Sequence, residues 1–268
     1  MMQVEYNFQS KIVVVTGALG QIGSELCNKF LDSNARVVAL DIQSKSDAPT
    51  KENYLYIQTD ITNKKNVQNT LKVINKKFNG DPSILINNAG IDSPPGSTIE
   101  DNPPPEDFDI KIWNKILDVN LTGSFITSQV YGKVMAKNLT GSIINISSIY
   151  GSLSPDNRIY KYKTENIESK DSFHKPIAYS VSKSGIYNLT RYFSTHWAKK
   201  GVRVNTVTLC GISNNQDEEF LEAFTKKIPM GRMAICDEAV KPICFLASDD
   251  ASFITGADLL VDGGYSAW

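Results

Sequence analysis

Tyr179 and Lys183 stand four residues apart in Ala178-Tyr179-Ser180-Val181-Ser182-Lys183, a stretch that reads as helix. At that spacing two side chains share one helix face. A phenol ionises near pH ~10, too high for proton transfer at neutral pH. An ammonium held beside it favours the phenolate and lowers that value. This face can therefore offer a tyrosine that gives or takes a proton near neutrality. A Tyr-x-x-x-Lys spacing alone fits an exposed tyrosine beside a solvated lysine equally well. The elements upstream decide between the two.

Lys11 to Thr16 (KIVVVT) is a short β-branched run, the pattern of a buried parallel strand. Gly17-Ala18-Leu19-Gly20-Gln21-Ile22-Gly23 follows directly, then an amphipathic helix from about Ser24 to Ser33. A second strand, Arg36 to Leu40, ends at Asp41. Gly17, Gly20 and Gly23 let the backbone turn tightly and approach a pyrophosphate. The amides of the helix start, at Gln21 and Ile22, would face the phosphates. A glycine turn that binds nothing is the alternative. The strand before it, the helix after it and the acid beyond favour a dinucleotide. Asp41 can accept hydrogen bonds from a ribose and repels a 2′-phosphate. No arginine is adjacent to receive that phosphate, and Lys45 lies too far along the chain to replace one. NAD is therefore expected in preference to NADP.

Tyr54 to Ile57 reads as a third strand leading to Thr59-Asp60-Ile61-Thr62, and Asn63 to Lys77 as a helix. Ser83 to Ile86 is a fourth strand that ends in Asn87-Asn88-Ala89-Gly90, small and amide residues suited to a ligand crevice. Residues 92–107, rich in proline, read as loop. A long helix is expected from about Phe108 to Lys137, with Trp113, Ile116, Leu117, Val119, Phe125 and Val130 on its apolar face. Asn120 inside it is either solvated or holds a local hydrogen bond, and spacing alone makes it structural. Ser142 to Ile146 is a fifth strand ending in Ser147-Ser148, and the Tyr179 helix spans about 176–199. Arg203 to Leu209 and Ala257 to Val261 are further strands, with helices at 216–227 and 237–248 between them. Strands alternating with helices imply an α/β fold, one parallel seven-stranded sheet covered on both faces. No linker breaks the pattern, so residues 1–268 are expected to form a single domain.

The 268 residues carry a formal net charge of −1, which favours neither nucleic acid nor an anionic membrane. Cys27, Cys210, Cys236 and Cys244 lack metal-ligand or paired spacing, and only two histidines are present, so no metal site is expected. Cys27 and Cys244 read as core thiols. The first ten residues have no signal-peptide core and no run is long enough to span a bilayer, which makes the cytoplasm the expected location.

Taken in order, TGALGQIG (16–23), TDIT (59–62), NNAG (87–90), DVNLTG (118–123), INISS (144–148), YSVSK (179–183), RVN (203–205) and VDGG (261–264) make the whole chain resemble a short-chain dehydrogenase/reductase. The resemblance implies a Rossmann-type doubly wound sheet with a nicotinamide cofactor across the strand ends. It implies that Tyr179 is the general acid/base. Lys183 would lower the tyrosine's pKa and contact the nicotinamide ribose. Ser148 would hydrogen-bond the reacting oxygen, with Ser147 as the second choice, and Asn120 would position a proton-relay water. The same resemblance places Gly17, Gly20 and Gly23 at the pyrophosphate, Asp41 at the ribose and Asp60 and Ile61 at the adenine. Asn88, Ala89 and Gly90 would form the wall beside the adenosine and ribose. It implies hydride exchange between the cofactor and a secondary alcohol or ketone. It also implies a homodimer or homotetramer built through the helices at 108–137 and 177–199 and through the C-terminal segment.

Three features depart from the family pattern. The glycine spacing is G-x-x-G-x-x-G, more typical of the family's extended branch. Ser148 and Tyr179 are 31 residues apart, so an insertion at about 154–176 must emerge beside the site. It holds Arg158, Tyr160, Lys161, Tyr162, Lys163, His174 and Lys175, and reads either as a solvated excursion or as a substrate lid with aromatic rings and cations. The segment after Asn205 has Leu209-Cys210 where the family has Pro-Gly, leaving Gly211 and Ile212 to line the nicotinamide side. The insertion, Ser-Ser-Ile-Tyr-Gly and the run from Gly211 to Gln216 are similar to the bacterial flagellin-modification oxidoreductases. That similarity implies an amino sugar, sugar phosphate or nucleotide sugar of surface-glycan synthesis. An epimerase or dehydratase that uses NAD without net redox change is the alternative enzyme. A catalytically idle cofactor-binding subunit is the non-enzymatic one.

Overall fold

The structure is a computed structural model that describes residues 6–44, 52–93, 102–163 and 173–268, without the side chains of 161–163. Lys45, the side chains of Lys161, Tyr162 and Lys163, and residues 164–172 of the insertion therefore lie outside the described part.

Seven strands, β1 (Ile12–Thr16), β2 (Arg36–Asp41), β3 (Tyr54–Gln58), β4 (Ile84–Asn87), β5 (Gly141–Ser148), β6 (Val202–Leu209) and β7 (Asp258–Val261), form one sheet in the order β3-β2-β1-β4-β5-β6-β7. Every pairing is parallel, with Val14 opposite Val38 on one side and Leu85 on the other. All residues of β1 and β4 are buried, which is why they read as unbroken apolar runs rather than alternating ones.

Helices α1 (Gln21–Asp32) and α7 (Cys236–Ala247) cover one face of the sheet, where Leu26, Phe30, Val240 and Ile243 bury their side chains. On the other face lie α2 (Lys64–Phe78), α4 (Gly123–Lys137) and α5 (Ile177–Trp197), with Ile74, Tyr131, Met135 and Phe193 inward. Two shorter helices, α3 (Ile110–Leu117) and α6 (Glu218–Thr225), complete the set, and α3 packs on α5. Caps set several of the boundaries. Asn63 accepts hydrogen bonds from the Lys65 and Asn66 amides at the start of α2, and Asp109 accepts one from Lys111 at the start of α3. Cys27 and Cys244 are core thiols, the latter pushed up to about 12 by burial. No helix among the described residues is long and apolar enough to cross a membrane.

The helix expected at 108–137 is interrupted. Asp118 to Thr122 form a π turn, in which the Gly123 amide donates to the Asp118 carbonyl. One inserted residue rotates everything after it by about 100°. Phe125, expected on the buried face, is consequently 41% exposed, whereas Asn120 is fully buried.

The strand order reverses between β1 and β4, both of which lead into the site. Open parallel sheets bind ligands at the carboxyl ends of strands flanking such a reversal.

Candidate active site

The glycine turn follows β1. Gly17 has φ +63°, and a Cβ there would lie 2.7 Å from the Ala89 Cα, so two backbones meet where only glycine fits. Thr16 joins them: its hydroxyl accepts the Asn88 and Ala89 amides at 3.1 Å, while the Asn88 side chain donates to the Thr16 and Gly17 carbonyls. Gly20 caps α1 without a side-chain hydrogen bond, and the first turn of α1 carries no acid. Its leading amides are thus free to face an anion. At the end of β2 the Asp41 carboxylate accepts the Leu19 amide at 3.0 Å and the Gln43 amide at 3.1 Å, which brings it against the same turn. Each of its oxygens keeps a lone pair for a ribose hydroxyl. A nicotinamide dinucleotide fits this donor set.

Asp60 and Ile61 lie just beyond β3. One oxygen of the Asp60 carboxylate, Oδ1, accepts the Thr62 amide and hydroxyl, at 2.9 and 2.7 Å. Ile61 is buried against Gly123 in the core. Neither lines the cleft beside Tyr179, and of the other residues expected at the cofactor Gly17, Gly20, Gly23, Asp41 and Ala89 do not line it either.

That cleft, of roughly 590 Å³, runs from Gln21, Ile22, Asn88 and Gly90 to Ser148, Tyr179 and Lys183, with Ile212 on its far wall. Gln21 closes one end by donating to the Ser213 carbonyl at 2.7 Å. A second cavity of roughly 490 Å³ adjoins it and is lined by Tyr150, Tyr160, Phe173, Lys175 and Phe220. Asp92, Ser148, Tyr179, Cys210 and Ile212 line both. Ser148 and Tyr179 therefore stand where one space opens into the other.

β5 delivers the two serines to opposite tasks. Ser147 points into the fold and donates to the Lys183 carbonyl at 2.9 Å. Ser148 accepts the Tyr150 amide at 3.3 Å and lies in hydrogen-bonding reach of the Tyr179 phenol. Tyr187 steadies it, donating to the Ser148 carbonyl at 3.2 Å. The geometry thus brings Ser148, not Ser147, to the tyrosine.

Lys183 is 6% exposed and donates to the Ile146 carbonyl at 2.9 Å. Burial pulls its ammonium down to about 8. Its Nζ is 5.9 Å from the centre of the Tyr179 ring, whereas the Lys175 Nζ is 5.1 Å away. Burial pushes the Tyr179 phenol above its ordinary value, and Lys175 and the Ser148 hydroxyl pull against it. Lys175 therefore acts on the phenol as well, a cation that the Tyr-x-x-x-Lys spacing does not include.

Asn120 binds across the π turn. Its carbonyl accepts the Ile91 amide at 2.8 Å, and its amide donates to the Ile91 carbonyl at 2.8 Å and the Ser182 hydroxyl at 2.9 Å. Both side-chain groups are thus engaged in joining the loop after β4 to α5.

Sequence reasoning grouped Asn87 with the crevice residues and passed over Asn145. Asn87 donates to Ser128 at 2.9 Å and to Asn145 at 2.8 Å, and accepts from Thr127 at 2.7 Å. Asn145 donates on to Thr190 at 2.9 Å. This buried chain fixes β4 and β5 against α4 and α5, directly behind the site. The signal was an amide in the middle of SIINI, an otherwise apolar strand. Asp92 and Lys175, which form an ion pair at 2.6 Å, were also not paired from sequence.

A family model described as Enoyl-(Acyl carrier protein) reductase matches residues 17–266. The chain belongs to the short-chain dehydrogenase/reductase family. It is an NAD(P)-dependent dehydrogenase of the Rossmann-like type. It is 31% identical to the NAD-dependent glycerol dehydrogenase of Listeria innocua serovar 6a, covering 98% of this chain and 96% of the relative. It is 29% identical to the galactitol 2-dehydrogenase (L-tagatose-forming) of Cereibacter sphaeroides, covering 98% of each. Among solved structures it is similar to a short chain dehydrogenase from Leptospira borgpetersenii serovar Hardjo-bovis with bound NAD+. That likeness has a TM-score of 0.84 and 34% identity, over 99% of this chain and 98% of the other.

Proposed function

We propose that this protein oxidises a secondary alcohol of a small polyhydroxylated compound, or reduces the matching ketone, with NAD in preference to NADP. The observation that carries the reading is the shared position of Ser148 and Tyr179 between the glycine-turn cleft and the second cavity. A reacting carbon there would face the cofactor on one side and its own substituents on the other.

Gly17, Gly20, Gly23, Asn88 and the first turn of α1 would hold the pyrophosphate, and Asp41 the adenosine ribose. Gly90 and Ile212 would flank the nicotinamide half with Lys183. The dinucleotide, when bound, supplies the hydride acceptor at its nicotinamide ring. Tyr179 takes the proton from the substrate hydroxyl in oxidation and returns it in reduction. Ser148 donates a hydrogen bond to the same oxygen as its charge changes. Lys183 supplies positive charge near the phenol, and Asn120 holds the loop after β4 so that Gly90 and Asp92 keep their places. Residues 1–268 act as one unit, with the insertion forming part of the substrate wall.

The compared relatives bear the names of glycerol and galactitol dehydrogenases, which supports a polyol or sugar alcohol as substrate. A sialic-acid-like or nucleotide sugar of surface-glycan synthesis is the narrower reading. Only the shared motifs and the aromatic insertion favour it.

The test is NADH formation from glycerol, tetritols and hexitols, with NAD+ and NADP+ compared by calorimetric binding. Wild-type protein should form NADH, and Tyr179→Phe should lose turnover while still binding NAD+. Asp41→Ala should weaken NAD+ and narrow its advantage over NADP+. Turnover surviving in Tyr179→Phe, or tighter binding of NADP+ by the wild type, would sink the proposal. Product formation without net NADH would shift it to an epimerase or dehydratase.

A further inference from the structure

The second cavity is lined by a partly buried cation that the family's Tyr-x-x-x-Lys pair does not account for. Lys175 belongs to the insertion, four residues before Tyr179 and just ahead of α5. Its side chain is 14% exposed, its Nζ sits 5.1 Å from the centre of the Tyr179 ring, and it pairs with Asp92 Oδ2 at 2.6 Å. Asp92 lies just beyond β4, and its other oxygen accepts the Ser93 amide at 2.7 Å. The ion pair therefore bridges the loop after β4 and the end of the insertion, directly over the reacting tyrosine. The cation also has support behind it. Asn157 accepts the Lys175 amide at 3.1 Å, and its side-chain amide meets His174 at 3.1 Å.

The other cation is placed less directly. Lys183 is tied to the Ile146 carbonyl and lies 5.9 Å from the same ring centre. Ser148 and Tyr150 face the phenol from the end of β5 and the turn after it, Tyr160 from the insertion, and Tyr187 from α5 itself. None of these four is a cation. Asp92 is the one carboxylate among the described groups acting on the phenol, and its charge is spent first on Lys175.

We propose that Lys175, clamped by Asp92, is a positioning residue that stabilises the Tyr179 phenolate, so that the proton acceptor depends on a cation from the insertion as well as on Lys183. The proposal rests on the reading of Tyr179 as the acid/base. Burial pulls Lys175 down, but Asp92 and the phenols of Tyr160 and Tyr179 more than offset it, so the ammonium stays charged. A cation within about 4–6 Å of an acid lowers its pKa by roughly 1–3 pH units, and the 5.1 Å here is to the ring centre rather than to the phenol oxygen. Asp92 opposes Lys175, so the low end, about one pH unit, is the effect to look for.

The test compares wild type, Lys175→Met and Lys175→Arg in the NAD+ complex, with Tyr179→Phe as reference. Phenolate absorbance is titrated for each protein and for its Tyr179→Phe counterpart, which isolates the one tyrosine without any substrate. Where a polyol is turned over, the pH profile of kcat/KM is taken as well. Lys175→Met should move the Tyr179 titration, and the acid limb of alcohol oxidation, up by about one pH unit. Below that limb the rate should fall about tenfold and recover at higher pH, whereas Lys175→Arg should keep the wild-type profile. An unmoved titration in Lys175→Met overturns the proposal, even where KM rises, because Lys175 would then only touch substrate. An equal shift in Lys175→Arg also overturns it, since a retained cation should retain the effect. Turnover persisting in Tyr179→Phe refutes the acid/base reading itself, and the absorbance titration keeps the two failures apart.

Discussion

Under the proposed mechanism, Lys183→Met removes a group that the reaction needs and the fold does not. The wild-type ammonium is held at about 8 against an ordinary value of 10.5, by burial alone. That difference of about 2.5 pH units, at 1.36 kcal/mol each, makes the charged form cost the folded state roughly 3 kcal/mol at neutral pH. Methionine keeps an unbranched apolar stem in the same space. It loses the 2.9 Å hydrogen bond to Ile146, a net loss of about 1 kcal/mol. The variant should therefore be more stable than wild type by about 2 kcal/mol at pH 7, with turnover abolished. The sign follows from proton binding. Between the folded value near 8 and the unfolded value near 10.5 the unfolded chain holds the extra proton, so wild-type stability rises with pH across that window. Below pH ~8 the full penalty is present, and above ~10.5 it is gone. Urea denaturation of both cofactor-free proteins at pH 7 and at pH 9.5–10 measures the gap, which should close as pH rises. A variant less stable than wild type at pH 7, or a gap that ignores pH, would refute the account of Lys183 as a desolvated cation.

Two further predictions test the frame of the site. Asn120→Ala removes three side-chain hydrogen bonds and leaves both backbone groups of Ile91 short of a partner. It should cost about 3 kcal/mol in urea denaturation, at roughly 1 kcal/mol per bond; a loss below about 1 kcal/mol would mean that the loop after β4 is held by something else. Gly17→Ala meets both a left-handed φ and the Ala89 backbone at 2.7 Å, so calorimetry should show NAD+ binding weakened more than about tenfold, with the strain felt at the turn.

The strand-and-turn frame of the candidate site was legible because it is built from chain direction and backbone. A buried parallel strand must be apolar throughout, and a turn that meets another backbone must be glycine, so KIVVVTG announces itself. The buried face after residue 122 was not legible. The apolar spacing from Trp113 to Val119 sets a helical phase, and the π turn then shifts it, which is why Phe125 projects outward to stack near Phe193 at 6.1 Å. Nothing in DVNLTG marks an extra residue in a turn, except that a buried asparagine with three partners needs a reason to face inward. Asp92 and Lys175 were hidden for another reason. They are 83 positions apart, in two irregular segments that follow no period. Their meeting depends on where β4 and α5 end in space.

The same contrast indicates where specificity resides. Behind the reacting pair, Ser147 holds Lys183, Tyr187 holds Ser148, and the Asn87–Asn145 chain locks the strands beneath them. A change of substrate cannot easily be accommodated there, because each group already has its partners and a freed buried polar group costs about 1–3 kcal/mol. The opposite wall is built otherwise. Tyr160 packs on Phe173 at 4.6 Å and on Phe220 at 5.7 Å, and Phe220 stacks on Phe224 at 5.1 Å. Asp156 ties this wall together by pairing with Arg158 beside it and with Lys227 just beyond α6. The phenylalanine rings of this wall can be exchanged for aliphatic side chains without stranding a buried donor, whereas the buried Tyr160 hydroxyl faces that of Tyr150. Substitutions that re-aim the enzyme among alcohols should therefore fall at Phe173 and Phe220, while those that abolish it fall on β5 and α5.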